Sequence, residues 1–187
     1  MSAQQSRSSP IEGLSMSDAT GPEQPQDAIR NVLGRYSLAV DDRDFDAVGR
    51  CFTDDAIASY SGLTIPQGRE NVVDHIRGIA RTRVSQHYLI PIIVEIGADG
   101  RTASSLCYGL AVLIQDKDGE TRSVARGLRY ADEWRLTDEG WQIAQRLHTA
   151  DWTWDLPALV DPGAMWEVKP QDDEATIYRT LRPGDAE

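Results

Sequence analysis

The chain has 187 residues, the length of one ordinary domain with terminal extensions. Its 30 acidic and 19 basic residues give a formal net charge of −11 at pH 7, which disfavours binding to phosphate backbones and anionic lipid headgroups. We therefore expect neither a nucleic acid nor a membrane as a partner. No apolar run approaches the ~20 residues needed to cross a bilayer, and no secretory signal is recognisable, so we expect a cytoplasmic protein.

The composition also argues against metal and cofactor sites. The two cysteines, Cys51 and Cys107, are too few for a disulfide scaffold or a Cys-based zinc site and are predicted to be buried thiols. The three histidines lack the spacing of a metal-binding motif, and the acidic run that starts at Asp41 lacks the glycine and terminal Glu of a calcium loop. We therefore expect no metal, and because no glycine-rich phosphate-binding motif occurs either, a nucleotide cofactor has no support.

The two ends of the chain differ in composition from the middle. Residues 1–25 are rich in Ser, Pro and Gln and contain no aromatic residue, which predicts a disordered tail because little apolar area is available for burial. Residues 161–187 are acidic and contain several prolines, and they are predicted to form an extended tail. The folded domain is therefore predicted to span residues 26–160.

Helical spacing of apolar residues marks three segments in the first half of the domain. The first helix is predicted from Ala28 to Val40 and ends at charged residues that begin with Asp41. Asp44 is a suitable N-cap for a short second helix. The apolar side of that helix consists of Phe45, Val48, Cys51 and Phe52. A short strand is predicted at Ala56–Tyr60. A third helix is then marked by Val72, Val73, Ile76 and Ile79.

The period of the apolar residues then changes to two, which is typical of strands. Four long strands joined by short turns are predicted at Gln86–Ile96, Thr102–Ile114, Ser123–Leu136 and Trp141–Trp152. Apolar residues occupy both faces of the first of these strands, which indicates burial on both sides. One face carries His87, Leu89, Pro91 and Ile93, and the other carries Tyr88, Ile90, Ile92, Val94 and Ile96. Helices followed by antiparallel hairpins predict an α+β fold whose curved sheet encloses a pocket.

Several short motifs, taken in order, resemble the SnoaL-like branch of the NTF2-like superfamily over residues 26–156. They are Tyr36-x4-Asp41-x2-Asp44-x-Asp46 with Cys51–Ala56, Gly68-Arg69-Glu70, the strand from His87 to Glu95, Arg129-Tyr130-x-Asp132 with Asp138–Ile143, and Asp151-Trp152. The resemblance implies an NTF2-like cone, in which three N-terminal helices pack on a strongly curved, mostly antiparallel sheet around an apolar pocket. The site pattern is most similar to that of scytalone dehydratase and bile-acid 7α-dehydratase-like enzymes. Most enzymes of this family need no cofactor, and some members are not enzymes, so the site residues must decide the function.

The resemblance implies three catalytic residues, Asp41, His87 and Tyr36. A carboxylate that binds one ring nitrogen of a histidine fixes the tautomer and favours proton uptake at the other nitrogen. His87 would therefore remove a proton next to a carbonyl and return it to a leaving hydroxyl, while Tyr36 would polarise the carbonyl. Each residue also has a structural alternative. Asp41 would be a surface acid that ends the helix, His87 a core histidine with satisfied hydrogen bonds, and Tyr36 a core tyrosine whose hydroxyl reaches the surface.

Four further residues are candidates for substrate binding. Tyr60 would donate a second hydrogen bond to a carbonyl, Arg126 would bind a carboxylate or phenolate, and His148 would form part of the pocket floor or act as a second acid. Trp152 would stack on a substrate ring at the pocket mouth. The alternative for Arg126 is an arginine–aspartate pair across the sheet, and the alternative for His148 is a sheet face that meets another subunit. The aromatic residues would then have packing roles. His75 is expected to face solvent.

The leading functional hypothesis is a cofactor-independent lyase, a dehydratase that uses His87 and Asp41 for acid–base chemistry on an apolar cyclic or aromatic carbonyl or hydroxy substrate. An isomerase, a polyketide cyclase or a retro-aldol lyase would need the same base. A non-catalytic ligand-binding or accessory subunit would not need it. The apolar residues of the predicted sheet also suggest a homo-dimer or homo-trimer, because large aliphatic groups are costly to expose.

Overall fold

The computed structural model describes residues 23–157. The predicted C-terminal tail and nearly all of the predicted N-terminal tail lie outside these residues. The described part begins its first helix at Pro25, where a proline costs no hydrogen bond because the first helical N–H groups have no partner within the helix.

The three predicted helices are present. They are α1 (Pro25–Asp41), α2 (Phe45–Arg50) and α3 (Arg69–Ile76), and α3 continues into a 3-10 helix at Arg77–Arg81. The side chain of Asp44 caps α2 by accepting a hydrogen bond of 2.9 Å from the N–H of Ala47, as its position predicted.

Six strands form one sheet. They are β1 (Phe52–Tyr60), β2 (Leu63–Ile65), β3 (Val84–Ile96), β4 (Thr102–Lys117), β5 (Glu120–Thr137) and β6 (Gly140–Pro157). Their order in the sheet is β2-β1-β6-β5-β4-β3, with β1 and β6 parallel and all other pairs antiparallel. The α+β fold with a curved, mostly antiparallel sheet is thus confirmed.

The first strand differs from its predicted bounds. It begins at Phe52 rather than Ala56, because Phe52 pairs with Ile143 of β6 instead of continuing the second helix. A strand that pairs with a distant segment is held by tertiary contacts, and these override the local helical spacing. The short β2 was not predicted from the sequence.

The predicted faces of β3 are wrong beyond Leu89. Leu89 pairs with Gly109 but Ile92 pairs with Cys107, so β3 contains one extra residue at this point. Such a bulge inverts the alternation of side chains. Ile92, Val94 and Ile96 therefore pack against the core. Tyr88, Ile90 and Ile93 are exposed.

The core lies between the helices and the inner face of the sheet. Ile29 and Leu33 of α1 are fully buried, and each large aliphatic side chain contributes about 1.5–3 kcal/mol on burial. Cys51 and Cys107 are buried free thiols, as predicted. Burial raises the pKa of each thiol to about 11, so neither is a reactive thiolate at neutral pH.

The outer face of the sheet exposes several large apolar side chains. They include Tyr88, Ile90, Ile93, Leu106, Tyr108, Leu110, Trp152 and Trp154. The homo-dimer or homo-trimer stays a prediction, and this outer face is the surface that it would use. No helix within residues 23–157 is long and apolar enough to cross a membrane.

Candidate active site

A cavity of about 440 Å³ lies between the helices and the inner face of β4, β5 and β6. One wall comes from α1, α3 and the 3-10 helix, and the other comes from the sheet. The residues of the wall formed by the helices and their adjoining turns are Tyr36, Val40, His75, Ile76, Gly78, Ile79, Arg81 and Thr82. The remaining lining residues are Tyr60, Ser61, His87, Ala111, Leu113, Gln115, Arg126, Leu128, Tyr130 and His148.

Asp41 and His87 meet at the wall of this cavity, although 46 positions separate them in the chain. The Nδ1 atom of His87 lies 2.7 Å from Oδ1 of Asp41, and the backbone N–H of His87 donates a hydrogen bond of 2.7 Å to Oδ2. The side chains are only 9% and 15% exposed for His87 and Asp41, respectively. Asp41 thus fixes both the ring and the backbone of His87, and Nε2 has no hydrogen-bond partner among the described residues.

Ser85 and Arg43 form a second layer behind Asp41. The hydroxyl of Ser85, which is fully buried, donates a hydrogen bond of 2.8 Å to Oδ1 of Asp41. Nη1 of Arg43 in turn donates to Oγ of Ser85 at 2.6 Å. The Asp41 carboxylate therefore accepts three hydrogen bonds, which hold it in one orientation towards His87. Neither Ser85 nor Arg43 carried a sequence signal that indicated this role.

Three tyrosines line the cavity close to the dyad. The Tyr36 ring packs edge-on against Tyr130, with a centroid separation of 6.0 Å. The hydroxyl of Tyr60 is buried and has no hydrogen-bond partner among residues 23–157. Burial raises the pKa of Tyr60 and of Tyr130 well above the ordinary value, so both hydroxyls stay protonated and remain hydrogen-bond donors.

A buried ion pair lies beneath the tyrosines. Arg146 donates two hydrogen bonds, of 2.8 and 2.7 Å, to the carboxylate of Asp132, and both side chains are fully buried. The Arg146 guanidinium lies 4.3 Å from the ring centroid of Tyr36 and 4.1 Å from that of Tyr130. The partner of Asp132 thus comes from β6, whereas the pair across the sheet that was predicted for the arginines of β5 is formed by Arg129 with Asp151. The ion pair supports the tyrosine rings from below.

The structure places His148 in the cavity, as predicted, and His75 beside it. His148 Nδ1 lies 3.3 Å from Oγ of Ser61, and its ring centroid lies 5.2 Å from that of Tyr60. Burial and the nearby Arg146 charge lower the pKa of His148 to about 4, so it is neutral at pH 7 and does not supply an acidic proton there.

The expectation that His75 faces solvent is wrong. It lines the cavity with its ring centroid 4.6 Å from that of Tyr60, and burial lowers its pKa. In the sequence, His75 lies between a charged and an apolar residue, which does not indicate the direction that it faces. In the fold, α3 turns this part of its surface towards β1.

Arg126 lines the cavity, whereas Trp152 does not. Trp152 was expected at the pocket mouth, stacked on a substrate ring. However, Leu128 pairs with Ala150 while Gly127 pairs with Trp152, so β6 contains one extra residue at this point and the alternation inverts there. The indole of Trp152 consequently lies over Gly127 on the outer face, and a role in stacking on a substrate inside this cavity is excluded.

The site offers oxygen and nitrogen groups but no metal-binding cluster within the described residues. No group of three or more His, Cys, Asp or Glu side chains in residues 23–157 could hold a metal ion. The arrangement instead brings together a fixed carboxylate, neutral hydroxyl donors and a histidine whose second ring nitrogen has no partner in the described part of the chain. Such a set can transfer protons and stabilise a developing enolate.

A family model for the SnoaL-like domain matches residues 24–147, which include both members of the dyad. The chain belongs to this family and has the NTF2-like fold. Uncharacterized proteins of Mycobacterium tuberculosis and Mycobacterium bovis are 33% identical to it over 125 residues, which cover 65% of this chain and 82% of the relatives.

Two solved structures from Novosphingobium aromaticivorans share the fold. A protein assigned by name to the aromatic ring hydroxylases is 29% identical, with a TM-score of 0.63 over 72% of this chain and 95% of that chain. A protein assigned by name as a scytalone dehydratase is 20% identical, with a TM-score of 0.61 over 72% of this chain and 93% of that chain. A hexachlorocyclohexane dehydrochlorinase is 16% identical, with a TM-score of 0.62 over 73% of this chain and 93% of that chain.

Proposed function

We propose that the protein is a cofactor-independent lyase, a dehydratase that acts on a cyclic hydroxy carbonyl compound. The observation that carries the proposal is the 2.7 Å contact between Asp41 Oδ1 and His87 Nδ1 at a cavity wall, with Nε2 left without a hydrogen-bond partner among residues 23–157. A histidine whose second nitrogen is held by a carboxylate can act as base and then as acid in one reaction.

In the proposed reaction, Nε2 of His87 removes a proton from the carbon next to the substrate carbonyl. Asp41, held by Ser85, stabilises the imidazolium that forms. The imidazolium then donates the same proton to the hydroxyl group on the next carbon. The bond between that carbon and oxygen breaks, water leaves, and a carbon–carbon double bond remains.

Tyr36 and Tyr60 would hold the carbonyl oxygen while negative charge develops on it. Both line the cavity, and the Tyr60 hydroxyl has no partner among the described residues, so a substrate oxygen would satisfy it. Preorganised donors of this kind typically contribute about 2.7–4 kcal/mol to a transition state. His148 and Tyr130 would form the neutral floor beneath the substrate.

The comparisons support a lyase through the names of proteins that share the fold. One neighbour carries the name of a scytalone dehydratase and another that of a dehydrochlorinase, and both names describe elimination reactions. Because each is at most 20% identical to this chain, these likenesses show the fold, and the proposal depends on the residues of the cavity.

The direct test uses 4-hydroxy-2-tetralone, a cyclic β-hydroxy ketone that gives fluorescent 2-naphthol when it loses water. We expect the wild-type protein to accelerate 2-naphthol formation, and His87→Gln to reduce the rate by about 10²–10⁴-fold. Tyr88→Phe is the matched surface control, because Tyr88 follows His87 on β3 but points away from the cavity. Full activity in a folded His87→Gln variant would exclude the proposed base.

Proton exchange separates dehydration from the alternatives. Isomerases, cyclases and retro-aldol lyases can share the base, so we would follow exchange of the α-protons of 2-tetralone in D₂O by NMR. If the protein exchanges the protons of 2-tetralone in a way that depends on His87 but forms no 2-naphthol from 4-hydroxy-2-tetralone, His87 remains the base. Dehydration of this substrate class is then rejected. Asp41→Asn should slow both reactions by about 10²-fold or more, because an amide cannot stabilise the imidazolium.

A further inference from the structure

The cavity carries positive charge in a strongly acidic protein. Two formally charged side chains line it, Arg81 and Arg126, and no Asp, Glu or Lys does so among the described residues. The carboxylates of Asp41 and Asp132 are engaged by His87 and Arg146. Because the chain has a net charge of −11, this local excess of positive charge differs in sign from the protein as a whole.

Arg126 differs from the other arginines of its strand. The other three arginines of β5 each form an ion pair with an aspartate: Arg122 with Asp155, Arg129 with Asp151 and Arg135 with Asp55. Arg126 has no ion pair or hydrogen bond with any residue between 23 and 157, and it is the one of the four that faces the cavity. Its charge is therefore available to a ligand.

The same contrast holds at the other wall. Arg77 forms an ion pair with Asp74, and Arg83 forms one with Asp116. Arg81 lies between these two arginines in sequence, lines the cavity and has no ion pair within the described part of the chain. A guanidinium can bind a carboxylate through two parallel hydrogen bonds, so one guanidinium on each wall without an ion pair among the described residues suits a planar anionic group.

The strand register places Arg126 level with the proposed base. His87 pairs with Ala111 on β4, and Ala111 pairs with Arg126 on β5. The Cα atoms of His87 and Arg126 are therefore separated by two strand spacings, about 10 Å. The small side chain of Ala111 lies between them, which leaves room for a ring that reaches from one to the other.

We propose that the substrate carries a carboxylate group, which Arg126 and Arg81 bind at the cavity mouth while the ring lies among the apolar lining residues and reaches His87. The apolar part of the lining consists of Val40, Ile76, Ile79, Leu113 and Leu128. This inference names a substrate class for the proposed lyase. The part that places the substrate ring next to His87 rests on that proposed function. The anion site itself can be tested without any turnover.

The test measures the binding of 2-naphthoate and its neutral analogue 2-naphthamide to the full-length protein by calorimetry. We expect naphthoate to bind at least about tenfold more tightly, which corresponds to about 1.4 kcal/mol. Arg126→Gln should remove most of this preference, and the double variant Arg81→Gln/Arg126→Gln should remove all of it. Arg129→Gln and Arg83→Gln, which change paired arginines outside the cavity lining, should retain it.

Three results would overturn the proposal: equal affinity of the two probes for the wild-type protein, no measurable binding of naphthoate, or a preference that survives in the double variant. Should the variants fail to fold, the salt dependence of the wild-type protein decides, because NaCl must weaken naphthoate binding and leave naphthamide binding unchanged. These outcomes are separate from loss of activity in His87→Gln, which tests the lyase proposal and leaves the anion site intact.

Discussion

Nη1 of Arg43 lies 2.6 Å from Oγ of Ser85, and this hydrogen bond joins the end of α1 to the strand that carries His87. Arg43 adopts a left-handed backbone conformation with φ of 61°, in which a non-glycine residue is unfavourable by roughly 1–2 kcal/mol. Its guanidinium also donates to the backbone oxygens of Val40, Asp41 and Thr82. The side chain therefore offsets the backbone strain by connecting three segments around the dyad.

Arg43→Gly should weaken catalysis more than it weakens the fold. Glycine adopts the left-handed conformation without strain, but it removes the donor that orients Ser85 against Asp41. We expect the turnover rate to fall about tenfold and the downfield NMR signal of the His87 Nδ1 proton to broaden, while the melting temperature changes little.

Asp118→Gly is the matched control for this substitution. Asp118 also has a positive φ, of 54°, and lies in the turn between β4 and β5 outside the cavity lining. It should leave both the activity and the NMR signal unchanged. If Arg43→Gly retains a sharp Nδ1 proton signal and full turnover, Arg43 has only a structural role.

The sequence predicted the order of the three helices and the longer strands, but it predicted neither β2 nor which way two strands face. Asp41 and His87 could be proposed together because the motifs around them resemble a family, not because local spacing joins them. Single extra residues in β3 and β6 invert the alternation of side chains, and this moved Ile92 into the core and Trp152 to the outer surface. Bulges depend on the pairing of neighbouring strands, so period-two patterns do not reveal them.

The supporting residues could not be predicted for a similar reason. Ser85 and Arg43 act through hydrogen bonds to atoms 42 to 44 positions away, and neither belongs to a recognisable motif. The 3-10 helix after α3 brings Arg81 to the cavity, although its sequence suggested only a continuation of helical spacing. Contacts of this kind arise from tertiary packing, which local composition does not encode.

The Asp132–Arg146 pair should be essential for stability. Arg146→Met would leave the Asp132 carboxylate buried without a partner, and such a change typically costs about 3–5 kcal/mol. We expect a matching decrease in the free energy of unfolding measured with urea. Arg129→Gln removes the exposed partner of Asp151 and should cost less than about 1 kcal/mol.

A double variant tests whether the cost comes from the unpaired charge. Asp132→Asn/Arg146→Met removes both charges, so it should be more stable than Arg146→Met alone. A double variant no more stable than the single variant would show instead that the cost comes from losing the guanidinium between Tyr36 and Tyr130 and not from the unpaired carboxylate.

The titration of His148 should make the fold sensitive to acid. The pKa of His148 is lowered from 6.5 to about 4 by burial and by the Arg146 charge. Between these two values the unfolded chain binds a proton that the folded protein does not, so stability falls as the pH decreases from 6.5 towards 4. Allowing for partial exposure, the loss amounts to about 1–2 kcal/mol.

His148→Asn isolates this contribution, because asparagine can still contact Ser61 but does not titrate. The free energy of unfolding should decrease less steeply between pH 6.5 and pH 4 in the variant than in the wild-type protein. Parallel curves for the two proteins over this range would contradict the low pKa of His148.

Gly127 should not tolerate a side chain, because the indole ring of Trp152 occupies the space where a Cβ atom would lie. Gly127→Ala must displace that indole from the outer face of β5, and overpacking of this kind typically costs about 1–3 kcal/mol.

Gly34→Ala is the matched control, since Gly34 lies within α1 with no atom within 4 Å of an added Cβ. Alanine there should stabilise the protein by about 0.5–1 kcal/mol. Urea unfolding monitored by tryptophan fluorescence measures both changes, and the emission maximum of Gly127→Ala should shift to longer wavelength as Trp152 moves into solvent. Unchanged stability and emission in Gly127→Ala would mean that Trp152 does not rest on Gly127, and the inverted alternation assigned to β6 would then be wrong.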